Sequence, residues 1–525
     1  MPSMREIRTN WSTPRSTCRE VRRQRPALRA RRHFCAARSC IIAGFLLLAG
    51  CAVGPDFEKP AAPDVGGYSP DPVSALPATP NVGGGDAQKF IRDADVPGDW
   101  WVLFHSRPLN ELIEQSLDRN PDLKSAQAAL TVAKENVLAQ RGAYFPSVNA
   151  AFSASRQKQP DTLAPVPSNN AVLYSLFTPQ LGISYVPDVF GLNRRTVESL
   201  QAQADQARFQ MIATYTTLTS NLVVAAIQEA ALQAQVDATH ELVDVNAKMV
   251  EILKYQVAKG YAGGLDLAAQ ESQLAQVKAA LPPLLKQLDQ QHDLIAVLGG
   301  RFPAEAPAGK FDLATLQLPV DLPLSLPSTL VEQRPDVRQA EANMHAASAL
   351  IGVAEANRLP NIELTANAGN TALAIGQVFN MGTSFWSIGA NLTAPIFEGG
   401  KLLHQQRAAE AAYRQAAGQY RSTVLVAFQN VADALAALAH DAEGLQAAAA
   451  AVDAAKVTLD LSQRQERAGY ASTLALLNAE QAYQQARITL VQAQANRYAD
   501  TAGLFQALGG GWWHRPELAQ EKNEH

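Results

Sequence analysis

Four stretches of this chain alternate apolar and polar side chains with a period of two, and each pair of stretches leads into a long run of helical period. Val148, Ala150, Phe152 and Ala154 alternate with Asn149, Ala151, Ser153 and Ser155, and Leu181, Ile183 and Tyr185 alternate with Gln180, Gly182 and Ser184. The pattern returns in Ile362, Leu364, Ala366 and Ala368 against Glu363, Thr365 and Asn367. It returns again in Trp386, Ile388, Ala390, Leu392 and Ala394 against Ser387, Gly389, Asn391 and Thr393. Such alternation predicts strands with one apolar face. Between and after them, Gly191 to about Val257 and Gly400 to about Ala468 hold no proline and hardly any glycine. Each run predicts a single helix on the order of 100 Å long at 1.5 Å per residue.

The apolar stripe of the second long run passes through Ala409, Ala412, Ala416, Tyr420, Thr423, Ala427, Val431, Ala434, Leu438, Ala442 and Leu445. That is an eleven-residue repeat, which gives nearly straight or slightly right-handed helix stacks. The first run, through Leu200, Ala204, Ala207, Met211, Thr214, Leu218, Leu222 and Ala225, lies closer to heptads with one extra residue. Each run stops at a Gly-Tyr pair, in KGYAGGLDLAAQE at Lys259 to Glu271 and in AGYASTLALLNAEQ at Ala468 to Gln481. A second helix then follows, Leu265 to Leu298 and Leu474 to Leu508, so each pair predicts the tip of a helical hairpin with Gly260 and Gly469 ending the first helix.

These parallels belong to an internal duplication, which outranks any single motif as a guide to architecture. Pro121 in RNPDLKSAQAAL corresponds to Pro335 in QRPDVRQAEANM, and Pro146 corresponds to Pro360. VPDVFGLNRR, at Val186 to Arg195, is echoed by APIFEGGKLL at Ala394 to Leu403, and AVLGG at Ala296 is echoed by QALGG at Gln506. Strands of about ten residues with one apolar face suit a transmembrane β-barrel, and they suit a half-buried sheet in a soluble domain equally. Four strands cannot close a barrel, because the smallest have about eight, so in a membrane several chains must share one.

The 525 residues have a formal net charge of −4, unevenly distributed. The first fifty carry eleven of the 45 basic residues and two of the 49 acidic ones, which leaves 34 basic against 47 acidic side chains and argues against nucleic acid as a partner. Behind the Arg-rich segment, Ile41 to Leu48 is an apolar run too short to span a bilayer and reads as a signal h-region. Leu48-Ala49-Gly50-Cys51 resembles a bacterial lipobox, which makes Cys51 the expected lipidation site and new N-terminus; the other reading is an ordinary secretory signal with an incidental cysteine. Cys18, Cys35 and Cys40 would be removed with the leader, leaving no cysteine to pair with Cys51. From Pro55 to Asp95 the composition predicts an extended tether. The nine histidines show no metal spacing, and His240, His345 and His440 read as surface helix residues. No phosphate loop or nucleophile motif points to catalysis, a cofactor or a metal.

Taken together, LAGCAVGPDFEKP, the duplicated Pro-Asp helix starts, VPDVFG, APIFEGG, the AGY tips and the final LGGGWW resemble the TolC-like, NodT-type outer membrane efflux lipoproteins. The resemblance implies a mainly α fold with a small β part, in which a duplicated helix-hairpin repeat builds, as a homotrimer, a 12-stranded barrel in the outer membrane continued by a long periplasmic α-helical barrel. It implies a passive export duct for drugs or other small toxic compounds, anchored in outer membrane lipid and docked through a periplasmic adaptor to an inner membrane pump. The segments expected are a signal peptide with lipobox (1–50), an anchored tether (51–98), repeats at 99–300 and 329–511, a linker (301–328) and a tail (512–525). The tips at Gly260, Tyr261, Gly469 and Tyr470 become the expected adaptor contacts. Related tips close on acidic residues; the matching positions here are Ala475 and Asn478, which leaves Asp266, the counterpart of Ala475, as the candidate aperture acid. A lipid-anchored coiled-coil scaffold would explain the helices and tether but not the alternating strands, and a secreted hydrolase would explain neither.

Overall fold

A computed structural model describes residues 52–70, 75–158, 160, 173–305 and 311–519. The elements in chain order are β1 (Ala75–Leu76), β2 (Gln88–Arg92), α1 (Arg107–Arg119), α2 (Pro121–Arg141), β3 (Ser147–Lys158), β4 (Leu173–Tyr185), α3 (Leu192–Ala258), α4 (Gly264–Leu298), β5 (Asp321–Leu324), α5 (Pro327–Gln333), α6 (Pro335–Ala356), β6 (Asn361–Asn370), β7 (Ser384–Thr393), α7 (Lys401–Arg467) and α8 (Thr473–Ala507). The two long helices both have 67 residues, and the returning helices α4 and α8 both have 35.

The helices lie side by side as a wall. α3 packs against α2 and α4 on one flank and against α6 and α8 on the other, and α7 lies beyond α6 and α8. The short helices are joined end to end by the residue before each helix-starting proline. Asn120 accepts the N–H groups of Asp122 and Leu123 on Oδ1 while its Nδ2 donates 3.0 Å to the carbonyl of Leu298, so it caps α2 and takes up an orphan acceptor of α4 together. In the second repeat Arg334 has no capping side-chain bond; it donates from Nη1 to the Ala507 carbonyl at the end of α8 and grips Asp336 in the first turn of α6. Each repeat thus supplies two staves, one continuous and one spliced.

On α7 the buried positions include Ala416, Ala427, Leu438 and Ala449, and Tyr420, Val431 and Ala442, two series spaced by eleven. The eleven-residue period therefore holds through the middle of the helix; Ala412, above it, is exposed. A helix with 3.67 residues per turn keeps one stripe against its neighbours without supercoiling left-handedly.

A belt crosses one face of this wall. β2 pairs antiparallel with β1 and parallel with β5, which joins the segment before the first repeat to the segment between the repeats. Trp100 stacks on Phe505 of α8 at 5.2 Å between centroids, and Trp100, Trp101 and Phe104 are all buried. The Tyr498 hydroxyl donates to Leu316 O at 2.8 Å. The described residues of the segment 51–98, expected to be an extended tether, are docked. Tyr68 donates to Ser325 O and packs on Phe428, and Gln88 is buried against Pro319 and Thr501. The expected linker likewise buries Leu313, Leu316, Leu318 and Leu322, and the expected tail buries Trp512.

Candidate functional site

The second sheet has the order β3-β4-β6-β7, all antiparallel. Its register places Val148, Ile183, Ala366 and Ile388 in one row across the four strands, and Ala150, Leu181, Ala368 and Trp386 in another. The intervening rows are Asn149, Gly182, Asn367 and Ser387, and Ser147, Ser184, Thr365 and Gly389. Side chains alternate faces along a strand, so all four alternating patterns place their apolar members on one side. That side is not covered by the other described residues: Trp386 is 75 % and Ile388 78 % exposed. Among the described residues, β3 and β7 each have one edge without a partner strand. An apolar face this open and two free edges are what an aqueous protein avoids, and what a shared membrane barrel uses.

The far ends of the long helices turn in the same way in both repeats. Gly260 has φ +78° and Gly469 φ +80°. In the first, Tyr261 N–H donates to Gln256 O and Gly260 N–H to Val257 O; in the second, Tyr470 N–H donates to Gln465 O and Gly469 N–H to Glu466 O. This is a Schellman closure, which needs a left-handed residue after the helix and hence favours glycine. The tyrosines that follow are 81 % and 88 % exposed. A groove of about 680 Å³ beside the first tip is lined by Ile252, Tyr255, Tyr261, Thr473 and Leu477 among others, so the first tip and the start of α8 share one surface.

Asp266, Ala475 and Asn478 are all exposed. Asp266 has a local role: its carboxylate accepts the Gly263 N–H at 3.3 Å and its own N–H donates to Gly263 O. In the other repeat Ser472 caps α8 by accepting the Ala475 N–H on Oγ at 3.2 Å. Each repeat therefore keeps one half of a capping box, with the acid at the third helical position in one and the hydroxyl at the cap in the other.

Cys51 lies outside the described residues, but the residues after it are firmly held. Ala52 sits against Gly191, so that a Cβ added at Gly191 would come within 2.8 Å of the Ala52 Cβ. Val53 N–H donates to Phe190 O. Arg195, buried in the first turn of α3, donates from Nε to Val53 O and from Nη2 to Gly54 O and Asp56, and pairs through Nη1 with Glu198. Glu198 also bonds His345 Nε2 at 3.0 Å, and His345 stacks on Phe57 at 4.3 Å. His345 is thus part of a dock for this segment and not a free surface residue, while His240 and His440 are exposed. The sequence contained the signal, an arginine pair after VPDVFGLN, without the partners that give it meaning.

Below the belt Arg497 is fully buried, donating to Asp86 O and, at 3.4 Å, to Gln88 Oε1, with Asp441 near it on α7. Burial, with Asp500 hydrogen-bonded beside it, pushes the Asp441 carboxyl up to about 7. Desolvation lowers the Arg497 guanidinium, against the pull of Asp441 and Asp86. Glu229, also fully buried, accepts from the Phe311 N–H and pairs with His292. Among the described residues no group of three His, Cys, Asp or Glu side chains is placed to hold a metal ion.

The outer membrane efflux protein model matches residues 112–300 and again 326–510, one match to each repeat. The chain belongs to the outer membrane efflux protein family. It is 29 % identical over 481 residues to the antibiotic efflux pump outer membrane protein ArpC of Pseudomonas putida, and equally to the toluene efflux pump outer membrane protein TtgC of that species; each match covers 91 % of this chain and 96 % of the relative. Among solved structures, the outer-membrane channel OprN superposes with a TM-score of 0.75 at 26 % identity, covering 88 % of this chain and all of OprN. The channel subunit described here is accordingly an outer membrane component of an efflux system that extends into the periplasm, with the strands in the membrane and the staves below it. Its relatives are channel and transport components.

Proposed function

We propose that three copies close one twelve-stranded barrel in the outer membrane, continued by twelve helical staves, and that this assembly is a passive export duct for drugs or other small toxic compounds. An inner membrane pump supplies the solute and the free energy, and a periplasmic adaptor meets the duct at the tips around Gly260, Tyr261, Gly469 and Tyr470. Residues 1–50 act as a signal peptide and Cys51 carries the lipid, so that Ala52 begins the mature chain's docked segment. Asp266, three per trimer, is the best placed acid to guard the entrance, alongside its capping role.

The observation that carries this reading is the four-stranded sheet with one continuous apolar face and, among the described residues, two unpaired edges, which further copies of itself would complete. Relatives named for antibiotic and toluene efflux support the solute class. The test is the mass of the detergent-solubilised protein together with its conductance in planar bilayers. A trimer giving discrete channels is expected; a monomer without conductance would return the protein to the scaffold reading.

A further inference from the structure

A cavity of about 710 Å³ is lined by side chains from α2, α3, α6 and α7 together. Those four helices are neighbours in one wall, so a single hollow that touches all four lies on one face of it. The belt lies on the other side. Arg208, Ile212 and Tyr215 of α3 face it: Arg208 donates to the carbonyls of Leu518 and Ala519, and Ile212 and Tyr215 belong to the core beneath the tryptophans. At about 100° per residue, Gln203, Gln206 and Gln210 point the opposite way. The hollow is lined by these three with Gln339, Gln415 and Gln419, and otherwise by Asn343, alanines and Leu350; none of its lining side chains is charged.

We infer that this uncharged, amide-lined face is the interior surface of the duct below the membrane, a stretch that passes hydrogen-bonding organic solutes without regard to the sign of their charge. The inference rests on the duct reading above. An amide both donates and accepts, so it replaces water for cationic, anionic and neutral solutes alike, and it holds none of them by a net charge. Any preference for one sign is then set elsewhere, at the tips.

Gln339 donates from Nε2 to Gln210 Oε1 at 2.8 Å, which gives a test that preserves the local bond. Gln210→Glu keeps the acceptor and adds a negative charge; Gln339→Lys keeps a donor and adds a positive one. Twelve staves spaced about 10 Å apart leave a free radius of about 14 Å. Across that radius three added charges change the cation-to-anion permeability ratio by about twofold in 0.1 M salt, and screening removes the effect at 1 M. Full-length protein in planar bilayers under a KCl gradient should show Gln210→Glu shifting the reversal potential toward cations, Gln339→Lys shifting it toward anions, and the double variant returning to the unmodified value. Variants that form conducting trimers with an unchanged reversal potential at 0.1 M would overturn the inference, because the amides would then lie away from the lumen. Failure of the unmodified protein to conduct would instead remove the duct reading itself, and the inference with it.

Discussion

Replacing Arg195 with alanine tests how the segment after Cys51 is held. The side chain is 6 % exposed and makes two charge-assisted bonds to main-chain carbonyls, at 3.1 Å to Val53 O and 3.0 Å to Gly54 O. Each contributes about 1.5–2 kcal/mol. The third partner, Asp56, is 94 % exposed, so that ion pair adds at most about 0.5 kcal/mol. The sum is about 4 kcal/mol, nearly all of it in the grip on the main chain. Of residues 52–57 only Phe57, half-buried, packs against the core, so the loss appears mainly as release of this segment with little change in global melting. Hydrogen exchange at the Val53 amide, bonded to Phe190 O, reads it directly. Protection should fall by about a thousandfold in Arg195→Ala, or to the unstructured limit, and by less than about threefold in Asp56→Ala. Equal effects of the two substitutions, or an unchanged Val53 in Arg195→Ala, would refute the reasoning by making the grip a surface ion pair or no grip at all.

At the tips a Cβ on Gly260 or Gly469 meets nothing within 4 Å, so alanine there is opposed only by backbone strain, about 1–2 kcal/mol; exchange at the tip amides should rise about tenfold, and asparagine should recover part of it. For Asp441 the folded carboxyl titrates near 7 against an ordinary 3.8, so between those values the folded state holds the extra proton and stability falls as pH rises through that window. Asp441→Asn, which imitates the protonated form, should raise Tm at pH 8 by an amount equivalent to about 1 kcal/mol, allowing for solvent screening, and leave it nearly unchanged at pH 4. Finally, Asp266→Asn should alter cation selectivity in single-channel recordings more than Asn478→Asp does; equal shifts, or none, would leave Asp266 with its capping bond alone.

The parts of the molecule legible in the sequence are those whose rule is local. Alternation at Val148–Ala154 and Trp386–Ala394 needs only a two-residue period, and the Schellman glycines need only a helix that stops. Even the eleven-residue stripe of α7 can be read along one strand of text. The belt could not be read this way. Its Pro- and Gly-rich composition reads as a free tether, and what fixes it is a handful of anchors whose partners lie hundreds of residues away, as Gln88 does with Thr501 or Tyr68 with Ser325. The same holds for the candidate site. The tips were visible, but the dock of Arg195, Glu198 and His345 and the amide face of the wall exist only once four helices are laid side by side. Asp266 was legible as an acid at the tip, while its bond to Gly263 belongs to three-dimensional geometry.

The equal lengths of the paired helices have a mechanical consequence. With 67 residues in both long staves and 35 in both returning ones, the two turns of a chain finish at the same depth. Symmetry then repeats that depth around the ring, and the end of the tube becomes a flat flange instead of a ragged crown. A flange can seat against a partner evenly only while both staves keep their length. One residue added to α3 alone would drop its corner by about 1.5 Å and turn everything beyond it by about 100°. Length changes in such a protein must therefore come in matched pairs, one in each repeat, and the two halves of the gene are bound to drift together in length even where their sequences diverge.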